Sequence, residues 1–221
     1  MLRLSCFRYV LCLFVLALLA QPISANRPAD VIGEAYDPQE GELLYSEHHY
    51  CDASWITCRI VYRDLAQNPI AYKDVDYSSN SMAPSLRFSD TRFDGEFTVL
   101  DRAESDGVVV DAGFDNFMRS RWLELSEGSL VDFQLQLLGR DKPLKMIAQS
   151  SLSTDCDMEK LCIEVALSSW VLRMLVQPIQ LTYDRESRRL MNYRGISNLP
   201  DNQGKPRDVE IFYQYQDLNQ K

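Results

Sequence analysis

Strict alternation of apolar and polar residues is the feature that most constrains the fold of this chain. In the run VDFQLQL (131–137) every apolar side chain is followed by a polar one. Because successive side chains of a strand point to opposite faces, this run predicts a half-buried strand of an antiparallel sheet. Shorter runs rich in β-branched and aromatic residues recur between residues 43 and 216, and together they predict about ten strands.

Two Asp-Gly pairs predict the tightest local structure. Asp94-Gly95 separates LRFSDTRF from EFTVLDRA, and Asp106-Gly107 precedes VVVDA. Asp-Gly is typical of type I′ hairpin turns, which need positive φ at both central positions. We therefore expect a three-stranded meander from about Leu86 to Ala112.

Two short segments have helical spacing instead. In GFDNFMRSRW (113–122) Asp115 is a candidate helix cap that can also pair with Arg119, and Gly128 ends the pattern. The second segment, Ser168–Gln177, stops at Pro178. The fold class predicted is mainly β: a single curved antiparallel sheet or incomplete barrel with two short helices packed on one face. A two-sheet sandwich is the alternative.

The N-terminus resembles a secretory signal. Arg3 and Arg8 precede a 12-residue apolar run (9–20), and Ile23-Ser24-Ala25 is typical of a cleavage site. The alternative is an uncleaved anchor. We expect a signal peptide over 1–25, a flexible leader over 26–40 and one β-rich domain over 41–221, exported to the periplasm without a transmembrane anchor.

Four cysteines remain after residue 25, namely Cys51, Cys58, Cys156 and Cys162. In an oxidising compartment an even number favours disulfides, and three connectivities are open. The local pairs Cys51–Cys58 and Cys156–Cys162 are favoured because each closes a short loop. Neither spacing is CxxC, so a zinc ribbon or a redox site is not indicated.

Charge and motifs exclude several functions. The chain has 32 acidic and 23 basic residues, a net charge of −9, which argues against nucleic-acid binding and against electrostatic docking on anionic lipid. No G-x-S-x-G or Gly-rich phosphate loop occurs, and the acidic run 101–115 lacks the ligand spacing of a calcium loop. His48 and His49 are adjacent on a predicted strand, so at most one faces a pocket. We therefore predict no catalytic residue, no metal site and no cofactor.

The two helical segments supply the candidate ligand-binding residues. Their aromatic and Met side chains would line an apolar cavity, with an arginine at its mouth for an anionic group. The same pattern also fits helices that only pack the core. The candidates are Phe114, Phe117, Arg119, Arg121, Trp122, Trp170 and Met174.

Several stretches resemble a family of exported Gram-negative bacterial proteins of unknown function. These are YRDLAQNPIAYKDVDY, FSDTRFDGE, DAGFDNFMRSRW and PIQLTYDRESRRLMNYRGISNL. The resemblance implies no activity and no catalytic residues. The predicted architecture is also similar to that of LolA-type lipoprotein carriers, an analogy of fold alone.

The first functional hypothesis is a non-enzymatic periplasmic protein that binds a lipid or other apolar ligand inside the curved sheet. The second is an envelope assembly factor with a filled core, which binds a protein partner through an exposed edge at Ile211–Tyr215. An outer-membrane barrel and an unrecognised hydrolase are weaker alternatives.

Overall fold

The computed structural model describes residues 27–93, 96–99, 107–138, 140, 142–151 and 156–216. Within these residues the chain forms one sheet of 13 strands and three short α-helices. The strands are β1 (Val31–Tyr36), β2 (Leu43–Cys51), β3 (Thr57–Arg63), β4 (Pro69–Asp76), β5 (Ser85–Asp90), β6 (Glu96–Val99), β7 (Val108–Val110), β8 (Val131–Gln136), β9 (Leu144–Ser150), β10 (Lys160–Leu167), β11 (Ile179–Asp184), β12 (Leu190–Ile196) and β13 (Asp208–Tyr215). The helices are α1 (Phe114–Ser120), α2 (Trp122–Ser126) and α3 (Trp170–Arg173).

The sheet is open, and its strands follow the order β6-β5-β4-β3-β2-β1-β13-β12-β11-β10-β9-β8-β7. All pairs are antiparallel except β7 with β8. The predicted mainly β class with one antiparallel sheet is therefore confirmed. The predicted edge at Ile211–Tyr215 is wrong, because β13 lies in the middle of the sheet between β1 and β12.

The predicted meander holds for two of its three strands. β5 and β6 pair antiparallel, with the Asp94-Gly95 turn itself outside the described residues. β7 does not continue this hairpin and lies at the opposite edge of the sheet, beside β8. Its Val-Val-Val sequence explains the difference, because Val109 and Val110 are both buried, each in a different apolar cluster. A hairpin strand with one face in water would leave one of them exposed.

The predicted flexible leader is also partly wrong. Residues 31–36 form β1, which pairs with both β2 and β13. Its inward positions hold Val31, Gly33 and Ala35, and all three are buried. A β-carbon on Gly33 would lie 2.8 Å from a ring carbon of Tyr213, so the small residues let β13 side chains pack across this strand.

Two apolar clusters fill the inner face of the sheet. The first lies under α1 and α2, where Met118 and Leu125 pack on side chains of β8 to β11 such as Phe133 and Leu181. The second lies on β2 to β5 and β13 and includes Tyr62. The prediction that helical segment 113–128 packs on one face of the sheet is confirmed.

The sheet curls until the segment after β7 contacts the loop between β4 and β5. The Val110 amide donates to the Met82 carbonyl oxygen (2.8 Å), and the Asn116 side chain donates to the Ser81 carbonyl oxygen (2.9 Å). Lys73 on β4 also pairs with Asp111 just after β7 (2.7 Å). These contacts join the two halves of the curved sheet without a strand ladder among the described strands.

Both predicted disulfides are present, Cys51–Cys58 and Cys156–Cys162. They close the β2–β3 and β9–β10 connections, which the strand directions place at the same end of the sheet. The two disulfides indicate an oxidising, non-cytoplasmic compartment. The predicted signal peptide lies outside the described residues.

Candidate functional site

The aromatic residues of α1 and α2 form part of the core. Phe117 packs on Phe133 with ring centroids 4.7 Å apart, and Phe114 packs on the same ring at 6.1 Å. Trp122 meets Tyr183 edge to face at 5.8 Å. These side chains were predicted to line a cavity, and the structure packs them against neighbouring apolar side chains of the first cluster.

The two arginines of these helices are paired within their own segment. Arg119 pairs with Asp115 at 2.8 Å, as the four-residue spacing predicted, and Arg121 forms a bidentate pair with Glu124. Asp115 does not cap α1, since no side chain makes a cap hydrogen bond there. Its carboxylate instead accepts the Tyr183 hydroxyl (2.9 Å), and burial together with this charge raises the pKa of Tyr183 well above its usual range.

The remaining two candidates, Trp170 and Met174, do not join this group. They are 69% and 72% exposed, so the prediction that one cavity is lined by residues of both helical segments is wrong. The prediction that the second segment packs on the sheet is wrong as well, because α3 has no buried residue. The connection between β10 and β11 projects into solvent instead.

We name residues 168–178 the apolar loop. Arg173 N–H donates to the Ser169 carbonyl oxygen (3.0 Å), closing a single helical turn, and Pro178 prevents its extension. Every residue from 170 to 176 is exposed. Six of these seven are large apolar residues, namely Trp170, Val171, Leu172, Met174, Leu175 and Val176. A contiguous exposed apolar surface of this kind is typical of a binding site.

The charges around the apolar loop differ from those of the whole chain. Between Glu164 and Asp184 the only charged residue is Arg173. At the base of the loop, the Ser168 amide donates to the Lys145 carbonyl oxygen (2.9 Å), which places the start of β9 beside it. The adjoining β8–β9 connection contains Arg140 and Lys142 and one acidic residue, Asp141. The β8–β9 and β10–β11 connections therefore have a small basic excess in an acidic protein.

A buried ionic group lies between the two halves of the sheet. The Lys73 and Asp111 side chains are 5% and 1% exposed, and the second carboxylate oxygen of Asp111 has no hydrogen-bond partner. Asp111 also has φ of 30°, in the left-handed region. Glu47 lies on the same inner side of the sheet, 3.4 Å from the Tyr213 hydroxyl, and burial raises the pKa of that hydroxyl well above its usual range. The cation of this group, Lys73, is already paired with Asp111, so the group is best explained as a structural link between strands.

A surface groove of about 800 Å³ opens beside the Cys51–Cys58 disulfide. Charged residues of the first half of the sheet line it, and two of them, Arg59 and Asp74, pair with each other at 2.6 Å. This groove lies on strands β2 to β5, away from both helical segments, so it is not the cavity that the sequence predicted.

The histidines bind other side chains. His48 Nε2 lies 3.1 Å from Ser46 Oγ, and His49 Nε2 lies 3.4 Å from Glu47. Among the described residues, no group of three or more His, Cys, Asp or Glu side chains could hold a metal ion. No helix in this part of the chain has the length and apolarity needed to cross a bilayer.

Comparison with known proteins finds no matching protein-family model, no matching curated protein and no matching solved structure. The resemblance to an exported bacterial family therefore stays a prediction. The exposure of the apolar loop was not predicted, although one signal was present in the sequence: WVLRMLV (170–176) has no polar face, unlike a helix that covers a core.

Proposed function

We propose that this chain is an exported, non-enzymatic envelope protein that acts by docking through its apolar loop. The observation that carries the proposal is the exposure of six large apolar side chains within residues 170–176. Removing such a side chain from water contributes about 1.5–3 kcal/mol. A surface with several such side chains is therefore stabilised by a partner that removes them from water.

Three further features support docking over ligand transport or catalysis. The aromatic residues expected to line a cavity, Phe114, Phe117 and Trp122, pack into the first core cluster. Arg119 and Arg121, expected at its mouth, pair with carboxylates of their own segment. The disulfides favour export to an oxidising compartment, where the protein would contact the envelope.

The test compares two multiple variants in cells that export the protein. Trp170→Ser/Leu172→Ser/Leu175→Ser removes three side chains of the apolar loop. Leu65→Ser/Met158→Ser is the matched control, because both residues are exposed apolar residues elsewhere on the surface. The measured quantity is the fraction of each protein that stays on the envelope after gentle washing. We expect most of the loop variant to be washed off, and the control to be retained as well as the unmodified chain.

Equal retention of the loop variant and the unmodified chain would refute docking through this loop. Mass spectrometry after organic extraction addresses the carrier hypothesis separately. A stoichiometric apolar molecule that remains bound to the loop variant would favour a carrier and overturn the proposal.

A further inference from the structure

We infer that the surface bound by the apolar loop is the interfacial region of a lipid bilayer. This inference rests on the proposed function and names the partner of the same loop. The geometry, the residue types and the local charge of the loop each lead to this conclusion.

The shape of the apolar loop favours a bilayer over a protein groove. A helix that docks in a protein groove buries one face, with anchors at spacings of three and four, and keeps its other face polar. Here the consecutive residues 170–176 are all exposed, and apolar side chains lie on every side of the turn. Such a convex surface can be buried on all sides only by a medium that surrounds it. Because α3 has four residues and a length of about 6 Å, it fits the interfacial depth of roughly 5–10 Å and does not span a bilayer.

The residue types of the apolar loop are typical of a membrane interface. Trp170 at the first position of α3 has a large apolar ring with one polar N–H group, which is the combination favoured at membrane interfaces. Arg173 can extend its apolar stem along the inserted residues and keep its guanidinium among the headgroups. The residues that flank the turn, Ser168, Ser169 and Gln177, are polar and uncharged.

The charges near the apolar loop complement anionic headgroups. The whole chain carries −9, yet no acidic residue lies between Glu164 and Asp184. Two neighbouring connections at this end of the sheet each have one more basic than acidic residue: Arg140 and Lys142 against Asp141, and Lys205 and Arg207 against Asp201. Other connections at this end, on the β1 to β5 half of the sheet, contain acidic residues such as Asp37 and Asp64. Anionic headgroups therefore fit the side of the molecule that holds the apolar loop.

The experiment uses the purified oxidised protein and vesicles of phosphatidylethanolamine and phosphatidylglycerol, with phosphatidylcholine vesicles for comparison. The chain has three tryptophans. A Trp55→Phe background removes another exposed indole and leaves Trp122 in the core as a constant signal. Flotation measures binding, and the emission and acrylamide quenching of Trp170 report whether the loop enters the lipid.

We expect flotation with the anionic vesicles, a blue shift of the emission, and protection of Trp170 from acrylamide. Because three apolar side chains are removed, the loop variant described above should bind at least about tenfold more weakly, while Leu65→Ser/Met158→Ser binds as the unmodified chain. Arg173→Gln should weaken binding to the anionic vesicles several-fold and leave binding to phosphatidylcholine unchanged. Full quenching of Trp170 at saturating lipid, or equal flotation of the loop variant, would overturn the inference.

Failure of this inference and failure of the proposed function give different results. If vesicles are not bound but envelope retention still depends on the loop, the partner is a protein and only the lipid inference is wrong. If vesicle binding depends on the loop but envelope retention does not, docking in the cell is wrong and the lipid affinity stands.

Discussion

His48 lies partly buried on β2, with its ring beside Ser46. Burial lowers the pKa of His48 from its ordinary value of 6.5, and the positive charge of Arg63 lowers it further. Between the lowered pKa and 6.5 the unfolded chain binds this proton more readily than the folded chain does. The stability from a neutral His48 is therefore complete above pH 6.5 and is lost as the pH falls through the folded pKa.

Replacing His48 by Gln should remove this contribution. Urea unfolding between pH 5 and pH 8 should show a steeper loss of stability on acidification in the unmodified chain than in the His48→Gln variant. His49→Gln is the control, because it removes only the charge of His49, the smallest of the causes that lower the pKa of His48, and keeps the burial of His48, which is the largest. Identical slopes for the unmodified chain and His48→Gln would contradict this account.

Two glycines allow a graded test of close packing. A β-carbon on Gly113 would lie 2.0 Å from the carbonyl oxygen of Met82, so backbone must move. A β-carbon on Gly33 would meet a side-chain ring, that of Tyr213, at 2.8 Å. Overpacking typically lowers the free energy of unfolding by about 1–3 kcal/mol. We expect Gly113→Ala to lower it by about 3 kcal/mol or more, and Gly33→Ala by an amount nearer to about 1 kcal/mol. Denaturant midpoints measure both, and a reversed order would show that the contact of Gly113 with Met82 relaxes easily.

At the scale of elements, the two disulfides hold the hairpins at one end of the sheet. Each joins cysteines six or seven residues apart. In the chain-entropy description, closing a loop of this length contributes about 2–3 kcal/mol. Cys51→Ala/Cys58→Ala should lower the free energy of unfolding by about this amount, and Cys156→Ala/Cys162→Ala by a similar amount. Calorimetry measures both losses. If Cys51→Ala/Cys58→Ala lowers the free energy of unfolding by well under about 1 kcal/mol, residues 51–58 are already constrained in the unfolded chain without the disulfide.

Features determined by neighbours in sequence were predictable. The alternation in β8 gives buried Val131, Phe133 and Leu135 with Asp132 and Gln134 exposed between them, as its period of two predicts. Gln136 departs from this pattern, because it is buried as well. The cysteine pairs followed from short loop closure. The helical segment after Gly113 was found because its apolar residues recur at spacings of three and four and cover one face of the sheet.

Features determined by distant partners were not predictable. β1 has two small residues, Gly33 and Ala35, at its inward positions, and its burial depends on β13, which lies about 180 residues later in the chain. β7 has no alternation because both of its faces are covered, and its partner β8 follows only after two helices. The apolar side chains of residues 170–176 are of types that are usually buried, and only the position of the loop beyond the sheet shows that they are exposed.

At the scale of the whole molecule, the sheet remains open while side chains and a backbone hydrogen bond, from Val110 to Met82, link its two halves. Lys73 near one edge pairs with Asp111 after the strand at the other edge, and Tyr77 donates to the Ala112 carbonyl oxygen at 3.2 Å. The ion pair is almost fully buried, so its two charges depend on each other. Loss of one partner should therefore destabilise the whole molecule and not only the local strand.

Lys73→Met leaves the Asp111 carboxylate buried with no cation, and removing one partner of a buried pair typically costs about 3–5 kcal/mol. Adding Asp111→Asn removes the unpaired charge, and Asn tolerates the left-handed conformation at this position. The double variant should therefore be more stable than Lys73→Met alone in urea unfolding. Arg59→Met is the matched control, because its pair with Asp74 is exposed and should contribute less than about 1 kcal/mol. If Lys73→Met costs no more than Arg59→Met, the ion pair does not contribute to joining the two halves of the sheet, and apolar packing with the hydrogen bonds of Val110, Asn116 and Tyr77 is sufficient.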